Sequence, residues 1–319
     1  MLTLTTLAPE RYVREVLPLS QELWGGTRSF ERYADDFRNA AAMWGTRRFR
    51  TVGLEVDGDL VASCKRYERT LRCGERSYRA AGIGAVFTPP ALRGRGYATA
   101  LLGAFLDAER AAGTDLAYLF SDIHPAFYER IGFATLPSRL VTLRADALGA
   151  QRIAVTTLEG DEAAVRRCFE QSESRRPFAM RRTPLDWEWL RLRRGAPEFA
   201  GAQVQLGVRR GRSLAAYVTG RRVPDADAFA LDEIAFAREG DAALIPPLLR
   251  AAAGDLRRIQ GWLPPEPVRA ALPAGAVRRR IGATAMVLAL STSFRAAWRN
   301  AAPAVRRSRA DAYWAADHV

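Results

Sequence analysis

Hydrophobic positions in the first half of the chain alternate in some segments and follow a helical period in others. The segments that alternate as half-buried strands do are residues 1–7, 51–56, 60–67 and 78–88. A continuous apolar strand is predicted at residues 116–120. Helical spacing is found at residues 9–23, 30–43, 97–112 and 125–130. Asp57-Gly58 is a strong hairpin signal between two strands, and residues 139–144 are predicted to close the unit as its last strand.

The second half repeats this order of elements in degenerate form. The hairpin around Arg210-Gly211 resembles the one around Asp57-Gly58, and helices and strands follow it in a similar sequence. The pattern predicts a duplicated α+β unit that breaks near Gly149. We therefore expect a first domain at residues 1–150, a degenerate second domain at 151–291 and a C-terminal tail at 292–319.

Composition restricts the class of protein. The chain has 319 residues and 48% hydrophobic residues, which suits about two globular domains and excludes a disordered or fibrous protein. No apolar run is long enough for a membrane span, and the N-terminus has no secretory signal. The cysteines are odd in number and lack CxxC spacing, so we expect reduced thiols and a cytoplasmic location. With two histidines in the chain, we expect no metal site.

The positive charge is carried almost wholly by arginine. The formal net charge is +13, and Lys65 is the only lysine. The densest clusters are 278–280 and the group Arg306, Arg307 and Arg309. Neither has interleaved aromatic residues or a nucleic-acid module around it, so we predict solvated surface and neither a nucleic-acid nor a membrane partner. A polyanion or a phosphate-rich cofactor is the alternative.

A glycine- and arginine-rich loop joins a predicted strand to a predicted helix. In such a loop, unpaired backbone N–H groups and the positive end of the helix dipole converge, which favours a pyrophosphate. The loop lacks the Gly-Lys-Ser/Thr of a P-loop, and Thr99 breaks the GxGxxG spacing. The candidate cofactor-binding residues are Val86, Phe87, Thr88, Arg93, Gly94, Arg95, Gly96, Tyr97 and Ala98.

The spacing Arg93-x-x-Gly96-x-Ala98 resembles the acetyl-CoA-binding motif of the GNAT superfamily of N-acetyltransferases. Tyr128 and Gly132-Phe133 match a second feature of that superfamily, a short helix with a tyrosine followed by Gly-aromatic. The resemblance implies tandem GNAT-like domains, each with a mixed, mostly antiparallel sheet flanked by helices. It also implies acetyl-CoA as co-substrate, held between strands that separate near Val86, and Tyr128 as the general acid for the leaving thiolate.

Two tandem types of the superfamily are similar to this chain. Fungal lysine N6-acetyltransferases share features of residues 86–89 and 121–123, although His124 stands where they usually have Gly. The enhanced-intracellular-survival type acetylates aminoglycosides and other amines, and has a third domain for which these 319 residues leave no room. In that type the chain's terminal carboxylate is thought to act as a base, which implies the same for Val319.

The resemblance leads to a specific functional prediction. We expect an N-acetyltransferase that moves acetyl from acetyl-CoA directly to a primary amine of a small molecule such as lysine. An aminoglycoside or protein amine is the alternative acceptor, and a non-catalytic acetyl-CoA sensor is the alternative class. The second unit lacks the motif, so we expect it to wall the acceptor pocket or to form a homo-oligomer.

Five further residues each have two alternative roles. Trp187 and Trp189 either line the acceptor pocket or belong to the core. Asp122 and Glu129 either relay a proton or are surface carboxylates. His124 either acts as a base or simply starts the helix after it.

Overall fold

The computed structural model describes residues 1–149, 153–194 and 203–318. The helices are α1 Pro9–Glu15, α2 Leu17–Trp24, α3 Phe30–Arg48, α4 Tyr97–Ala111, α5 Ala126–Glu129, α6 Glu162–Glu173, α7 Pro184–Arg194, α8 Ile245–Ala253, α9 Val268–Ala271 and α10 Thr292–Ser308. The first strands are β1 Leu2–Leu7, β2 Phe49–Val56, β3 Asp59–Cys73, β4 Arg76–Phe87, β5 Leu116–Ser121, β6 Ala134–Thr135 and β7 Arg139–Arg144. The remaining strands are β8 Thr156–Thr157, β9 Phe178–Arg181, β10 Gln203–Arg210, β11 Ser213–Val223, β12 Ala228–Phe236, β13 Arg258–Trp262, β14 Ala276–Arg279 and β15 Thr284–Ala289.

Local sequence explains the turns that separate these elements. Asp57 and Gly58 both have positive φ, 51° and 94°, as the tight hairpin between β2 and β3 requires. The single helix expected over residues 9–23 is divided, because Val16 has φ −111° and the following helix begins with a proline in its first turn. A further kink occurs at Gly45, where φ is 65°.

The strands form two mixed sheets, as the duplicated pattern predicts. The first sheet has the order β1-β2-β3-β4-β5-β15-β6, with β9 paired to β3, and the second has the order β14-β7-β13-β12-β11-β10-β8. Neighbours are antiparallel except for β4 with β5 and β12 with β13. The predicted tandem fold, with mostly antiparallel sheets flanked by helices, is confirmed.

The two halves exchange strands. β7, which was expected to close the first unit, pairs instead with β13 and β14 of the second sheet. In return β15 of the second half pairs with β5, and Val287 lies opposite Tyr118. The prediction for β7 is therefore wrong, because alternation identifies a strand but not its partner. The domain boundaries themselves stay a prediction.

Helices cover both faces of the first sheet. The apolar side of α4 packs on one face, through Leu101, Leu102 and Phe105. Helices α1 to α3 and α10 cover the opposite face, where α10 contributes Phe294 and buries it completely. The second sheet packs against α6 to α8 in a separate core.

Helix α10 lies in the segment that was expected to be a tail. Ser291 caps it by accepting a hydrogen bond from the Phe294 N–H at 3.1 Å, a signal that the sequence already carried. Among the residues that the structure describes, no helix is long and apolar enough to cross a membrane.

Candidate active site

The loop between β4 and α4 exposes the start of a helix. Gly94 and Gly96 have φ of 78° and 81°, a conformation that side chains rarely adopt. Gly96 is the N-cap of α4 and gives no side-chain hydrogen bond to the first turn, whose N–H groups have no acceptor within the helix. Nothing lies within 4 Å of the position that a Cβ would take at either glycine. A negatively charged group can therefore approach this helix end closely.

Arginines flank this helix end. Arg93 and Arg95 are both exposed, and the Arg93 Nε donates to the Thr88 carbonyl at 3.3 Å, which draws the loop back toward the end of β4. The predicted motif residues are therefore brought together at one place. Their fit to a diphosphate rests on free N–H groups, open space above the glycines and two guanidinium groups.

Strands β4 and β5 separate beside the loop. Their parallel pairing ends at Ile83 opposite Leu119, although β4 continues to Phe87 and β5 to Ser121. Ala85 has φ 46°, and the register of β3 against β4 shifts at the same level. The predicted separation of the strands is thus confirmed. It leaves a wedge between the ends of the two strands, beside the backbone of residues 84–87.

Tyr128 lies beside this wedge. Its side chain belongs to the same core cluster as Ile83 and Leu119, and its ring packs against Phe127 and Phe133 at centroid distances of 4.9 and 6.1 Å. Burial raises the pKa of Tyr128 to about 12. The phenol therefore keeps its proton at neutral pH, which a proton donor must do.

A buried ion pair anchors α4 at its far end. Arg66 of β3 donates to both oxygens of Glu109 at 3.0 and 3.1 Å, and the Thr114 hydroxyl donates to one of them at 2.6 Å. Burial opposes the charge of Glu109, but the hydrogen bonds from Arg66 and Thr114 lower its pKa overall. Sequence reasoning missed this pair because neither residue stands in a motif.

The acidic and histidine candidates have different surroundings. His124 accepts the Ala126 N–H through Nδ1 at 3.3 Å, as expected of a residue that starts a helix. Glu129 accepts the Thr135 hydroxyl at 2.7 Å. Asp122 is exposed at the end of β5 and accepts the Ala283 N–H through Oδ1 at 2.8 Å. Its charge acts on both Tyr128 and His318.

The C-terminal segment docks between the two units. Tyr313 and Trp314 are buried, and Tyr313 stacks on Tyr118 of β5 at 5.6 Å. The His318 ring packs edge-on against Phe120 at 5.0 Å, and burial lowers the pKa of His318 to about 4. Val319 lies outside the described residues.

The two tryptophans of α7 differ in burial, since Trp187 belongs to the second core and Trp189 is partly buried against a core of the first unit. Trp187 packs edge-on against Phe169 at 5.2 Å in the second core, and Trp189 packs against Trp44 of α3 at 5.8 Å. This arrangement favours the packing role for Trp187, whereas Trp189 also lines a small cavity with Asp317 and His318.

At the corresponding turn, the helical segment of the second unit begins differently. Asp241 is buried, accepts the Arg238 N–H at 3.1 Å and forms an ion pair with Arg210. A carboxylate from the chain itself thus occupies the start of this helical segment.

The class of protein follows from this site together with the similarity of the chain to known proteins. Residues 6–136 match the sequence model of the acetyltransferase (GNAT) domain. This part of the chain is a GNAT N-acetyltransferase domain, of a family that depends on acetyl-CoA. A search of curated protein sequences finds no match.

Solved structures share the fold of the whole chain. A probable N-acyltransferase from Enterococcus faecalis is similar with a TM-score of 0.73 at 14% identity, over 91% of this chain and 73% of that one. Eis1 from Mycobacterium abscessus is similar with a TM-score of 0.64 at 16% identity, over 93% and 76%. A tandem GNAT protein from the clavulanic acid biosynthesis pathway has a TM-score of 0.52 at 14% identity, over 91% and 99%. These likenesses concern the tandem fold.

Proposed function

We propose that this chain transfers the acetyl group of acetyl-CoA directly to a primary amine of a small molecule such as lysine. The observation that carries the proposal is the separation of β4 and β5 next to an uncapped helix N-terminus. The wedge suits the extended pantetheine, and the helix end suits the pyrophosphate. Acetyl-CoA supplies the activated acetyl thioester.

The cofactor contacts are proposed residue by residue. The backbone of Val86, Phe87 and Thr88 pairs with the pantetheine amides. The N–H groups of residues 94–98, together with Arg93 and Arg95, hold the pyrophosphate through charge-assisted hydrogen bonds. Tyr97 and Ala98 form the first turn of the helix, and both are partly buried beneath the proposed diphosphate site.

Tyr128 is proposed as the general acid. The amine nitrogen bonds to the acetyl carbon, the bond from that carbon to sulfur breaks, and the Tyr128 phenol donates its proton to the departing sulfur. The raised pKa keeps this phenol protonated before the reaction. Its buried ring contacts hold the hydroxyl in one orientation.

The acceptor amine must lose a proton before or during attack. A lysine-like amine has a pKa of about 10.4 in water, so the site needs either desolvation or a base. The Val319 carboxylate is the proposed base, and Asp122 is a second carboxylate that acts electrostatically on Tyr128. The buried C-terminal segment forms one wall of the proposed acceptor pocket.

The test is release of free thiol from acetyl-CoA against a panel of amines. The panel contains lysine, polyamines, aminoglycosides and a lysine-rich peptide. Turnover with a small amine supports the proposal, whereas turnover with the peptide alone would assign a protein acceptor. Acetyl-CoA binding by calorimetry without turnover on any amine, including the peptide, would indicate a sensor instead.

The role of Val319 needs its own variant. Removing Val319 alone moves the terminal carboxylate back by one residue and leaves Asp317 in its ion pair with Arg182. We expect kcat to fall while acetyl-CoA affinity is retained. Unchanged kcat would remove Val319 from the mechanism.

A further inference from the structure

A second basic site lies where the chain crosses from one sheet to the other. A cavity of about 390 Å³ opens beside the β6–β7 connection and the start of β15. Its walls include Arg139, Arg279, Arg306, Arg309, Ser138 and Thr284. The volume falls within the range of small-molecule sites, roughly 300 to 1,000 Å³. None of the residues of the proposed acetyl-CoA loop lines it.

The two densest arginine clusters of the sequence meet at this cavity. Arg279 comes from the cluster 278–280 on β14, and Arg306 and Arg309 come from the end of α10. Arg139 lies opposite Arg279 in the pairing of β7 with β14. The strand exchange therefore brings together charges that are distant in the sequence.

The four guanidinium groups have no acidic partner within residues 1–149, 153–194 and 203–318. Two carboxylates stand next to the cavity, and both are engaged elsewhere. Glu129 accepts the hydroxyl of Thr135, and Asp311 lies 2.8 Å from the buried Arg280 while accepting the N–H groups of Arg139 and Leu263. The cavity thus concentrates positive charge that no carboxylate of the described residues neutralises.

We propose that this cavity binds a small anion that carries at least two phosphate groups. Guanidinium groups form paired hydrogen bonds with phosphate oxygens, and four of them match the charge of two phosphates better than that of one. The concave shape suits a small molecule better than a long polymer. The bound anion lies one short loop from the acceptor side, because Thr284 pairs with Ser121 and Ala283 bonds Asp122.

The test uses inorganic pyrophosphate as the probe, measured by calorimetry on the full chain without CoA. Because the two variants below leave the α4 helix end intact, pyrophosphate that binds there contributes equally to both, and the difference between them reports the cavity. The variant Arg279→Ala/Arg306→Ala removes two exposed guanidinium groups from the cavity. The matched control, Arg295→Ala/Arg299→Ala, removes two exposed arginines from the same helix outside the cavity.

We expect saturable pyrophosphate binding that weakens about tenfold or more in the cavity variant and less than about twofold in the control. Orthophosphate and citrate should bind more weakly than pyrophosphate. The proposal is overturned if the intact chain shows no saturable binding, or if the two variants weaken binding equally, which would indicate only the general positive field. Citrate binding as tightly as pyrophosphate would also overturn the phosphate assignment.

Discussion

The two units treat the same local geometry in different ways. In each, a pair of parallel strands stops pairing before the strands end, at Ile83 in the first unit and at Leu231 in the second. In the first unit, the wedge beyond Ile83 is bordered by the backbone of residues 84–87. The second fills the region beyond Leu231 with a buried charge network, in which Arg182 forms ion pairs with Glu233 and Asp317.

The helix N-termini that follow the two wedges also differ, because one is open and the other is occupied by a side chain. In the first unit Gly96 offers no side chain to α4, whereas in the second the Asp241 carboxylate bonds the Arg238 N–H. The second unit therefore supplies from its own chain the negative charge that the first unit leaves to a ligand. A duplicated fold can lose a binding site by satisfying it internally, without losing the strands that formed it.

The largest effect is expected from Tyr128→Phe in the open unit. The phenyl ring fills the same space but has no proton to donate, so kcat should fall about 100-fold to 10,000-fold with acetyl-CoA affinity unchanged. Tyr78→Phe is the control, because Tyr78 is a buried tyrosine at the far end of β4. Equal kcat in both variants, with chemistry shown to be rate-limiting, would make Tyr128 a packing residue.

The next effect concerns the network that fills the second unit. Arg182→Met leaves Glu233 and Asp317 buried without their cation, which should lower the free energy of unfolding by about 3 to 5 kcal/mol. Urea denaturation measures this loss. Adding Glu233→Gln and Asp317→Asn should restore much of the stability, and failure of that rescue would mean that Arg182 acts through packing on Phe169 instead.

Acid should release the C-terminal segment. His318 has a folded pKa of about 4, below its ordinary value, so its contribution is complete above about pH 6.5 and is lost as pH falls toward 4. The His318 contribution to this loss is about 3 kcal/mol below pH 4, at about 1.4 kcal/mol for each pKa unit. Burial raises the pKa of Asp311 to about 7 and also raises the pKa of Asp317, so protonation of these carboxyls opposes part of the loss. Arg193 and Arg280 oppose protonation of His318 and Asp122 favours it. The protection factors of the amides in residues 312–318, corrected for the intrinsic pH dependence of exchange, should fall over this range, and a His318→Phe variant should show a smaller fall.

The smallest effect is expected from Arg93→Ala at the open helix end. Loss of one charge-assisted contact should weaken acetyl-CoA binding by about 1.5 to 3 kcal/mol. Arg238→Ala, at the corresponding turn of the second unit, should leave the affinity unchanged. Calorimetry compares the two, and a larger loss in the Arg238 variant would reverse the assignment of the open and filled units.

Local signals in the sequence predict much of the fold. Three features depend only on neighbouring residues: the turn at Asp57-Gly58, the loop ending at Gly96 and the cap at Ser291. The sequence predicts the first two, and the cap at Ser291 was also predictable from it. Strand pairing over long distances is different. The exchange of β7 and β15 leaves no trace in alternation, because each strand would look the same in either sheet.

The candidate site also has one part that local sequence predicts and another that it does not. The motif residues around Arg93 were predictable because the helix end and its loop are contiguous. The ion pair of Arg66 with Glu109 and the convergence of Arg279 on Arg306 were not, because they depend on how distant elements pack. The arginine clusters were visible in the sequence, but nothing there indicates that they share a cavity.

The strand exchange also matters while the protein is being made. Thr284 follows its partner Ser121 by 163 residues, so β5 leaves the ribosome long before the strand that covers its edge. During synthesis the first sheet therefore presents an unpaired, apolar edge, the kind of surface on which nascent chains associate wrongly. We therefore expect the first sheet to be completed only after the last strand has been synthesised.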